Sequence, residues 1–240
     1  FRLLRTNIDF IIGQKDNKVI FITSTIGKEG KTFISLNLAT SIALTGKKTV
    51  IVGMDLRAPK LLRYIGESDK EGVSNFLTND SILLGDVIMK ANFVENLDIL
   101  PSGAIPPNPA ELLMQPRIKL MFEELKKKYD YIIVDTAPIG LVTDTLLLSN
   151  YADATLFVVR AEYLDKRLLN IVDTLYKEKR LNKLSVVINC PNHEKGYGYG
   201  YGSGYGYGYG YGYGYGAYGM DTYGNEAKTK KKWWQKVLKK

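Results

Sequence analysis

The chain has 240 residues, 45% of them apolar, one cysteine, one histidine and a net charge of +8. One cysteine excludes a disulfide framework, and one histidine leaves too little for a zinc site or a Ser/His/Asp triad. No apolar run approaches the ~20 residues of a membrane helix.

At ~100–200 residues per domain, the length fits one domain plus an extension. No secretory leader is visible and Phe1 is not a methionine, so the chain reads as a piece of something longer. Residues 1–12, FRLLRTNIDFII, are amphipathic at helical spacing, with Leu3, Leu4, Ile8 and Ile11 set against Arg2, Arg5, Asn7 and Asp9. This helix packs on its own domain or docks on a neighbouring subunit with Arg2 and Arg5 as anchors.

Val19 to Ile22 is a β-branched, apolar run that reads as a buried strand. It breaks into a loop holding Gly27 and Gly30, and Lys31 and Thr32 then open a helical pattern that stops at Gly46. Strand, glycine-bearing loop, GKT and helix is the order of a phosphate-binding loop. Its backbone N–H groups and the helix N-terminus favour phosphate oxygens. Lys31 would reach the β/γ-phosphates and the Thr32 hydroxyl would bind Mg²⁺. The first glycine of the usual pattern is replaced by Thr25.

A second strand from Thr49 runs to Asp55, an acid at a strand's carboxyl end, where open α/β sheets bind ligands. Gly72 to Leu77 reads as a short helix and Leu97 to Leu100 as a strand. The proline-rich PSGAIPPNPAELL follows, with Asn108 as helix cap, Pro109 in first position and Glu111 behind. Tyr131 to Asp135, YIIVD, runs an apolar strand into an acid, as magnesium-holding strands of phosphate-loop enzymes do. Ala154 to Arg160 is a further strand. Asp165 to Lys179 is a helix with Leu168, Leu169, Val172, Leu175 and Tyr176 inward. Leu184 to Ile188 is the last strand and ends in Asn189. About six alternations of strand and helix predict an α/β fold: a doubly wound, mostly parallel sheet with helices on both faces. The loop at 25–32, Asp55, Asp135 and Asn189 then share the sheet's carboxyl edge.

From Gly196 to Gly224 the composition collapses to glycine and tyrosine. Eleven of the 17 tyrosines stand there: Tyr197, Tyr199, Tyr201, Tyr205, Tyr207, Tyr209, Tyr211, Tyr213, Tyr215, Tyr218 and Tyr223. Alternating glycine has a large ordering entropy and buries little, so disorder is expected, with ends about 30 Å apart. Exposed tyrosines on a chain with a nucleotide site are candidate phosphoacceptors. Such a tract alone would read as a sticky linker. Residues 225–240 carry KTKKKWWQKVLKK, where Trp233 and Trp234 among lysines suit an anionic membrane surface. No nucleic-acid-reading module accompanies the basic end. From Gly196 onward seven lysines face two acids, so this part supplies +5 of the charge.

Taken together, these pieces resemble the cytoplasmic domain of the bacterial tyrosine kinases (BY-kinases), autokinases of capsule and exopolysaccharide export and members of the deviant-Walker P-loop ATPases. FRLLRTNIDF is similar to the family's N-terminal arginine motif, STIGKEGKT to its Walker A loop and MDLRAPKL to its Walker A′. LPSGAIPPNPAELL, YDYIIVDTAP (Walker B) and the tyrosine cluster complete the match. Two positions depart from relatives: Ile26 stands where many deviant-Walker ATPases carry a second lysine, and Gly53 where the A′ motif has its first aspartate.

The resemblance implies a domain over 1–195, with 1–14 as oligomerisation helix, 196–224 as phosphoacceptor segment and 225–240 as basic end. It implies ATP and Mg²⁺ bound by Gly27, Lys28, Glu29, Gly30, Lys31, Thr32, Phe33 and Asn189, the metal falling to Thr32, Asp55 and Asp135. Lys31, Asp55 and Asp135 are the catalytic set and Asn189 the adenine contact. It also implies a homo-oligomeric ring with transfer between subunits, a co-polymerase transmembrane segment upstream or as partner, a tyrosine phosphatase, and work at the cytoplasmic face of the inner membrane. An ATPase switch or a nucleotide-sensing scaffold without kinase activity is the alternative.

Overall fold

The computed structural model describes residues 1–68 and 70–191. In chain order the elements are α1 (Arg2–Ile12), β1 (Lys18–Ser24), α2 (Lys31–Ala43), β2 (Thr49–Gly53), α3 (Leu61–Tyr64), α4 (Val73–Thr78), β3 (Met89–Lys90) and β4 (Leu97–Leu100). There follow α5 (Pro109–Leu113), α6 (Arg117–Lys128), β5 (Tyr131–Asp135), α7 (Asp144–Leu147), β6 (Ala154–Arg160), α8 (Leu169–Lys177) and β7 (Leu184–Asn189). His193, the eleven tyrosines from Tyr197 to Tyr223 and the basic end lie outside the described residues.

Two-residue alternation on the central strands divides the interior. Val19, Phe21, Val50, Val52, Ile132 and Val134 turn to one face, where Phe76 of α4, Leu112 of α5 and Phe122 of α6 cover them. Ile20, Ile22, Ile51 and Ile133 turn to the other, beneath Ile8 of α1 and Leu38 of α2. Strands buried on both sides read as unbroken apolar runs, so the sequence pattern and a doubly covered parallel sheet agree. The order is β3-β4-β2-β5-β1-β6-β7. Every neighbouring pair is parallel except β3 with β4. The expected α/β architecture is therefore present, with an antiparallel edge strand that the sequence did not announce.

Three expectations of detail need correction. Leu3 is exposed: the buried stripe of α1 is Ile8 and Ile12 with Leu4 and Ile11 partly covered, and Leu3 lies off it, on the side of Phe10. Leu169 and Tyr176 are exposed too, because α8 turns only Val172 and Leu175 fully inward. Asn108 makes no side-chain cap. Its backbone (φ −123°, ψ 74°) departs from the extended geometry that aims a cap at the next N–H groups.

The carboxyl ends of the parallel strands form one edge of the molecule. Crossover connections place the loop after β1, the turn after β2, the 101–105 segment after β4, Asp135 of β5, the turn after β6 and Asn189 of β7 along it.

Candidate active site

The loop from Thr25 to Gly30 folds so that helix α2 starts at Lys31 behind Gly30. Gly30 adopts φ 97°, a conformation that costs other residues and not glycine, and a Cβ there would come within 2.2 Å of the Asn189 amide nitrogen. The first turn of α2 has no acidic side chain and no side-chain cap, so its free N–H groups and positive dipole end face outward unneutralised. An anion fits there.

Lys31 is buried. Its Nζ donates to Ser24 Oγ at 3.1 Å, and that hydroxyl donates to the Ile26 carbonyl at 2.7 Å. Burial lowers the pKa of Lys31, against the opposing pull of Asp135, Asp55 and Glu29. Thr25, in the place of the usual first glycine, is fully buried. Room for it comes from Gly140, whose added Cβ would lie 2.4 Å from the Thr25 carbonyl oxygen. A glycine missing from one side of the contact is thus present on the other.

Three successive carbonyls of the loop are held from the β6–β7 side. Tyr163 Oη donates to Gly27 O at 3.3 Å, Arg160 Nη1 to Lys28 O at 3.1 Å, and Asn189 Nδ2 to Glu29 O at 2.8 Å. The Glu29 carboxylate is buried and accepts from Ile26 N at 2.8 Å and Arg160 N at 3.3 Å. With their carbonyls claimed, these peptides keep their orientation, and Lys28 is held at a positive φ of 66°. Sequence reading named Glu29 and Asn189 and missed Arg160 and Tyr163. Their only signal was position, Arg160 as the last residue of a strand and Tyr163 three residues past it. Replacing Arg160 with alanine removes a charge-assisted bond of about 1 kcal/mol at this partly exposed site. A roughly fivefold rise in the Kd of a fluorescent ADP analogue, read by titration, is the expected result.

Asp135 pairs in register with Ile22 of β1 and Gly53 of β2, which centres it between the two loops. Burial pushes its pKa up to about 6, while hydrogen bonds from Thr32 and Ser35 and the Lys31 ammonium pull it down and Asp55 pushes it further up. A deeply buried carboxylate bonded to the Thr32 hydroxyl fits a site for a hard dication shared with phosphate oxygens. Thr32 and Asp135 are therefore brought together as expected.

Asp55 lies two residues past β2. Its Oδ1 accepts from the N–H groups of Arg57 at 3.3 Å and Ala58 at 3.0 Å, which leaves the second oxygen clear of these bonds. Arg57 in turn grips the buried Asp144 with two bonds, Nε at 2.8 Å and Nη2 at 3.0 Å. That fork fastens the turn bearing Asp55 to α7, beyond β5. Gly53 leaves no second carboxylate beside Asp135. A Cβ at Gly53 would meet Ser102 Oγ at 2.6 Å and Ser102 N at 3.0 Å, so the β4 loop has closed over the place.

Of the remaining candidates, Phe33 is exposed on α2 with its ring edge-on to Phe1 at 6.0 Å between centroids. Asn189 uses both ends of its amide, the oxygen accepting from Cys190 N at 3.0 Å. Arg5 Nη1 donates to the Ser41 carbonyl at 2.6 Å within the chain, and Arg2 is exposed. Among the described residues, no helix is long and apolar enough to cross a membrane.

Comparison with known proteins agrees with this geometry. Residues 17–186 match the family model described as an AAA domain. The chain is 34% identical over 193 residues to the tyrosine-protein kinase CpsD of Streptococcus agalactiae serotype III (strain NEM316), spanning 80% of this chain and 82% of that protein. It is 35% identical over 162 residues to the putative tyrosine-protein kinase CapB of Staphylococcus aureus, 68% of this chain and 70% of that one. Among solved structures, the kinase domain of the Escherichia coli tyrosine kinase ETK superposes with a TM-score of 0.75 at 28% identity, over 85% of this chain and 79% of that chain. The septum site-determining protein MinD complexed with Mg-ADP from Pyrococcus horikoshii OT3, at 24% identity and a TM-score of 0.59 over 72% of this chain and 70% of that chain, shares the fold. With a phosphate loop, a buried strand-end aspartate and these relatives together, the chain belongs to the bacterial tyrosine-protein kinases, a family of P-loop ATPase fold.

Proposed function

We propose that the chain transfers the γ-phosphate of ATP to its own tyrosines between Tyr197 and Tyr223, from one subunit to the next within a ring, and thereby regulates polysaccharide synthesis and export at the cytoplasmic face of the inner membrane. The observation that carries this reading is the convergence of Lys31, Thr32, Asp135 and Asp55 on one strand edge of a chain with an eleven-tyrosine segment.

The tyrosine oxygen attacks the γ-phosphorus, the bond from that phosphorus to the ADP oxygen breaks, and the phenolic proton passes to the free oxygen of Asp55. A phenol with pKa about 10 requires such an acceptor at neutral pH. Lys31 and the N–H groups of residues 27–32 meet the phosphate charge without reorganising, because the loop is already held by Tyr163, Arg160 and Asn189. Bound with ATP, Mg²⁺ would supply charge neutralisation, and Thr32 and Asp135 are the residues that would hold it while Asp55 takes the proton. The exposed Leu3 and Phe10 on the outer side of α1, with Arg2, supply the surface for the ring contact. Residues 228–240 would meet anionic lipid. Each phosphate adds about −1.5 to −2 charges. Five would offset the +8 of the subunit and weaken both contacts.

Intact mass after incubation with ATP and Mg²⁺, on protein first treated with a tyrosine phosphatase, tests the reading. A ladder of phosphate increments confined to peptides from residues 197–223 is expected. Phosphate released to solution with no increment on the chain would replace the kinase by an ATPase switch, and neither increment nor turnover would leave a nucleotide-sensing scaffold, the alternative that Gly53 keeps open.

A further inference from the structure

The spacing Asp-x-Arg occurs twice in the chain, at Asp55–Arg57 and at Asp165–Arg167. In both turns the carboxylate accepts from the arginine's own backbone N–H, Arg167 N to Asp165 Oδ1 at 2.9 Å and Arg57 N to Asp55 Oδ1 at 3.3 Å. The side chains then part. Arg167 folds back, its Nε donating to both Asp165 oxygens at 3.1 and 3.0 Å and its Nη2 to Oδ2. Each oxygen of Asp165 is covered by an N–H. Arg57 reaches away instead, to the carboxylate of Asp144 at 2.8 Å from Nε and 3.0 Å from Nη2.

The turn at 165–167 is thus an internal control. It shows where the guanidinium goes at this spacing when no second acid takes it. Asp55 is half-buried and Asp165 exposed, so the attraction between the two charges is the stronger at Asp55. The charge of Asp55 is indeed felt at Arg57. What keeps the oxygen of Asp55 open is the competing acid.

Asp144 is built for that competition. It is 2% exposed, and a carboxylate so placed needs a cation. Its own position is tied to the nucleotide loop. The carbonyl of Ala137 accepts from Thr23 Oγ1 at 3.0 Å and from Thr145 Oγ1 at 2.9 Å, which bonds the neighbour of Asp144 to the end of β1. Ile139 N donates to Ser24 O at 2.9 Å and Gly140 N to Thr25 O at 3.0 Å. The 137–145 segment therefore runs along Thr23, Ser24 and Thr25, the residues that lead into the phosphate loop. On the far side, Met54 N is bonded to Asp135 O at 2.8 Å and Leu56 is in the core, so the base of the Asp55 turn is fixed. Only the direction of the Arg57 side chain is left to choose, and the planar fork to Asp144 makes the choice.

We infer that Asp144 is a positioning residue that holds the Arg57 guanidinium off Asp55, so that one oxygen of Asp55 stays open to the incoming phenol. The inference rests on the proposed role of Asp55 for its purpose, though not for its structural test. Without Asp144, Arg57 closes on Asp55 as Arg167 closes on Asp165, and the acceptor is lost while the nucleotide loop stands unchanged.

The test uses the full chain, phosphatase-treated, with Asp144→Ala, Arg57→Met and the two combined. Asp144→Asn, which keeps the shape of the side chain, serves beside Asp144→Ala in case the alanine variant does not fold. Asp144→Ala is expected to lower the rate of phosphotyrosine formation about 50-fold, with the KM for ATP and the Kd of a fluorescent ADP analogue within twofold of the unmutated chain. Adding Arg57→Met should recover at least tenfold of that loss, because the guanidinium that covers Asp55 is gone. A double variant no faster than Asp144→Ala, with both folded by thermal melt, overturns the inference, since a fork that only braced the turn would give that result. Arg57 is followed without catalysis through its Nε–H resonance in protein labelled with [15N]arginine, assigned by its loss in Arg57→Met. The resonance should persist in Asp144→Ala and be lost to solvent exchange when Asp55→Asn is added. Its loss in Asp144→Ala alone shows that Arg57 does not turn to Asp55 and overturns the inference. No phosphotyrosine on the unmutated chain sinks the kinase reading, and the resonance then decides the place of Arg57 by itself.

Discussion

Lys31→Met should lower phosphate transfer to tyrosine by about 10³-fold, close to 4 kcal/mol of transition-state stabilisation. The Lys31 ammonium is buried behind Gly30, bonded to Ser24 Oγ at 3.1 Å, and lies where phosphate charge would develop. A charge fixed in such a place is worth far more than one in water, because it neither competes with solvent nor reorganises. Methionine keeps the unbranched shape and fills the same channel. Burial already works against the charged form of Lys31, so its removal is not expected to unfold the loop. Ser24 retains its bond to the Ile26 carbonyl. The check is a rate of phosphotyrosine formation together with a thermal melt. A transfer rate within tenfold of the unmutated chain, with the fold intact, would remove Lys31 from the mechanism.

Asp135→Asn carries the second large effect, in which activity and stability move in opposite directions. Burial raises the folded-state pKa of Asp135 to about 6, from an ordinary 3.8. The folded chain therefore holds this proton more tightly than the unfolded one. The resulting stability is fully present below pH ~4 and is lost as pH rises through about 6. Two units correspond to about 3 kcal/mol. Part of the gain on neutralisation is offset, because Lys31 loses a nearby anion. Asparagine should thus leave the nucleotide-free chain about 1–2 kcal/mol more stable than the parent at pH 8, with the two nearly equal at pH 4. Transfer should fall by 10² or more. Urea midpoints at the two pH values decide it. A variant less stable at pH 8, with the parent's pH slope unchanged, would show that burial does not strain this carboxylate.

Both effects concern residues that the sequence marked, and the reason is local. The 19–32 segment and the 131–135 strand each carry their signal within fourteen consecutive residues or fewer: an apolar run, a break, and the functional side chain at the break. The parallel sheet was legible from the same runs. What escaped was nonlocal or too short. Strand β3 has two residues and no alternation to read. Arg160 and Tyr163 bond to a loop more than 130 positions away, and nothing in ATLFVVRAEY distinguishes them from surface residues. The Arg57–Asp144 fork joins two turns across strand ends. For α8 the inward set was drawn too wide, since a nine-residue helix on the sheet covers Val172 and Leu175 and leaves its flanks in solvent.

Gly53 has a further consequence, for the order in which ligands arrive. The side chain that would neighbour Asp135 in register is missing, and Ser102 has taken its room. Asp135, Asp55 and Glu29 are the carboxylates whose charge Lys31 feels, against Lys60, so the acids that remain are engaged with the lysine. Carboxylates already engaged with a lysine would keep little grip on a lone dication. A metal held there would then enter with the nucleotide and leave with it, and the ratio of ATP to ADP, rather than the supply of magnesium, would be what the site reads.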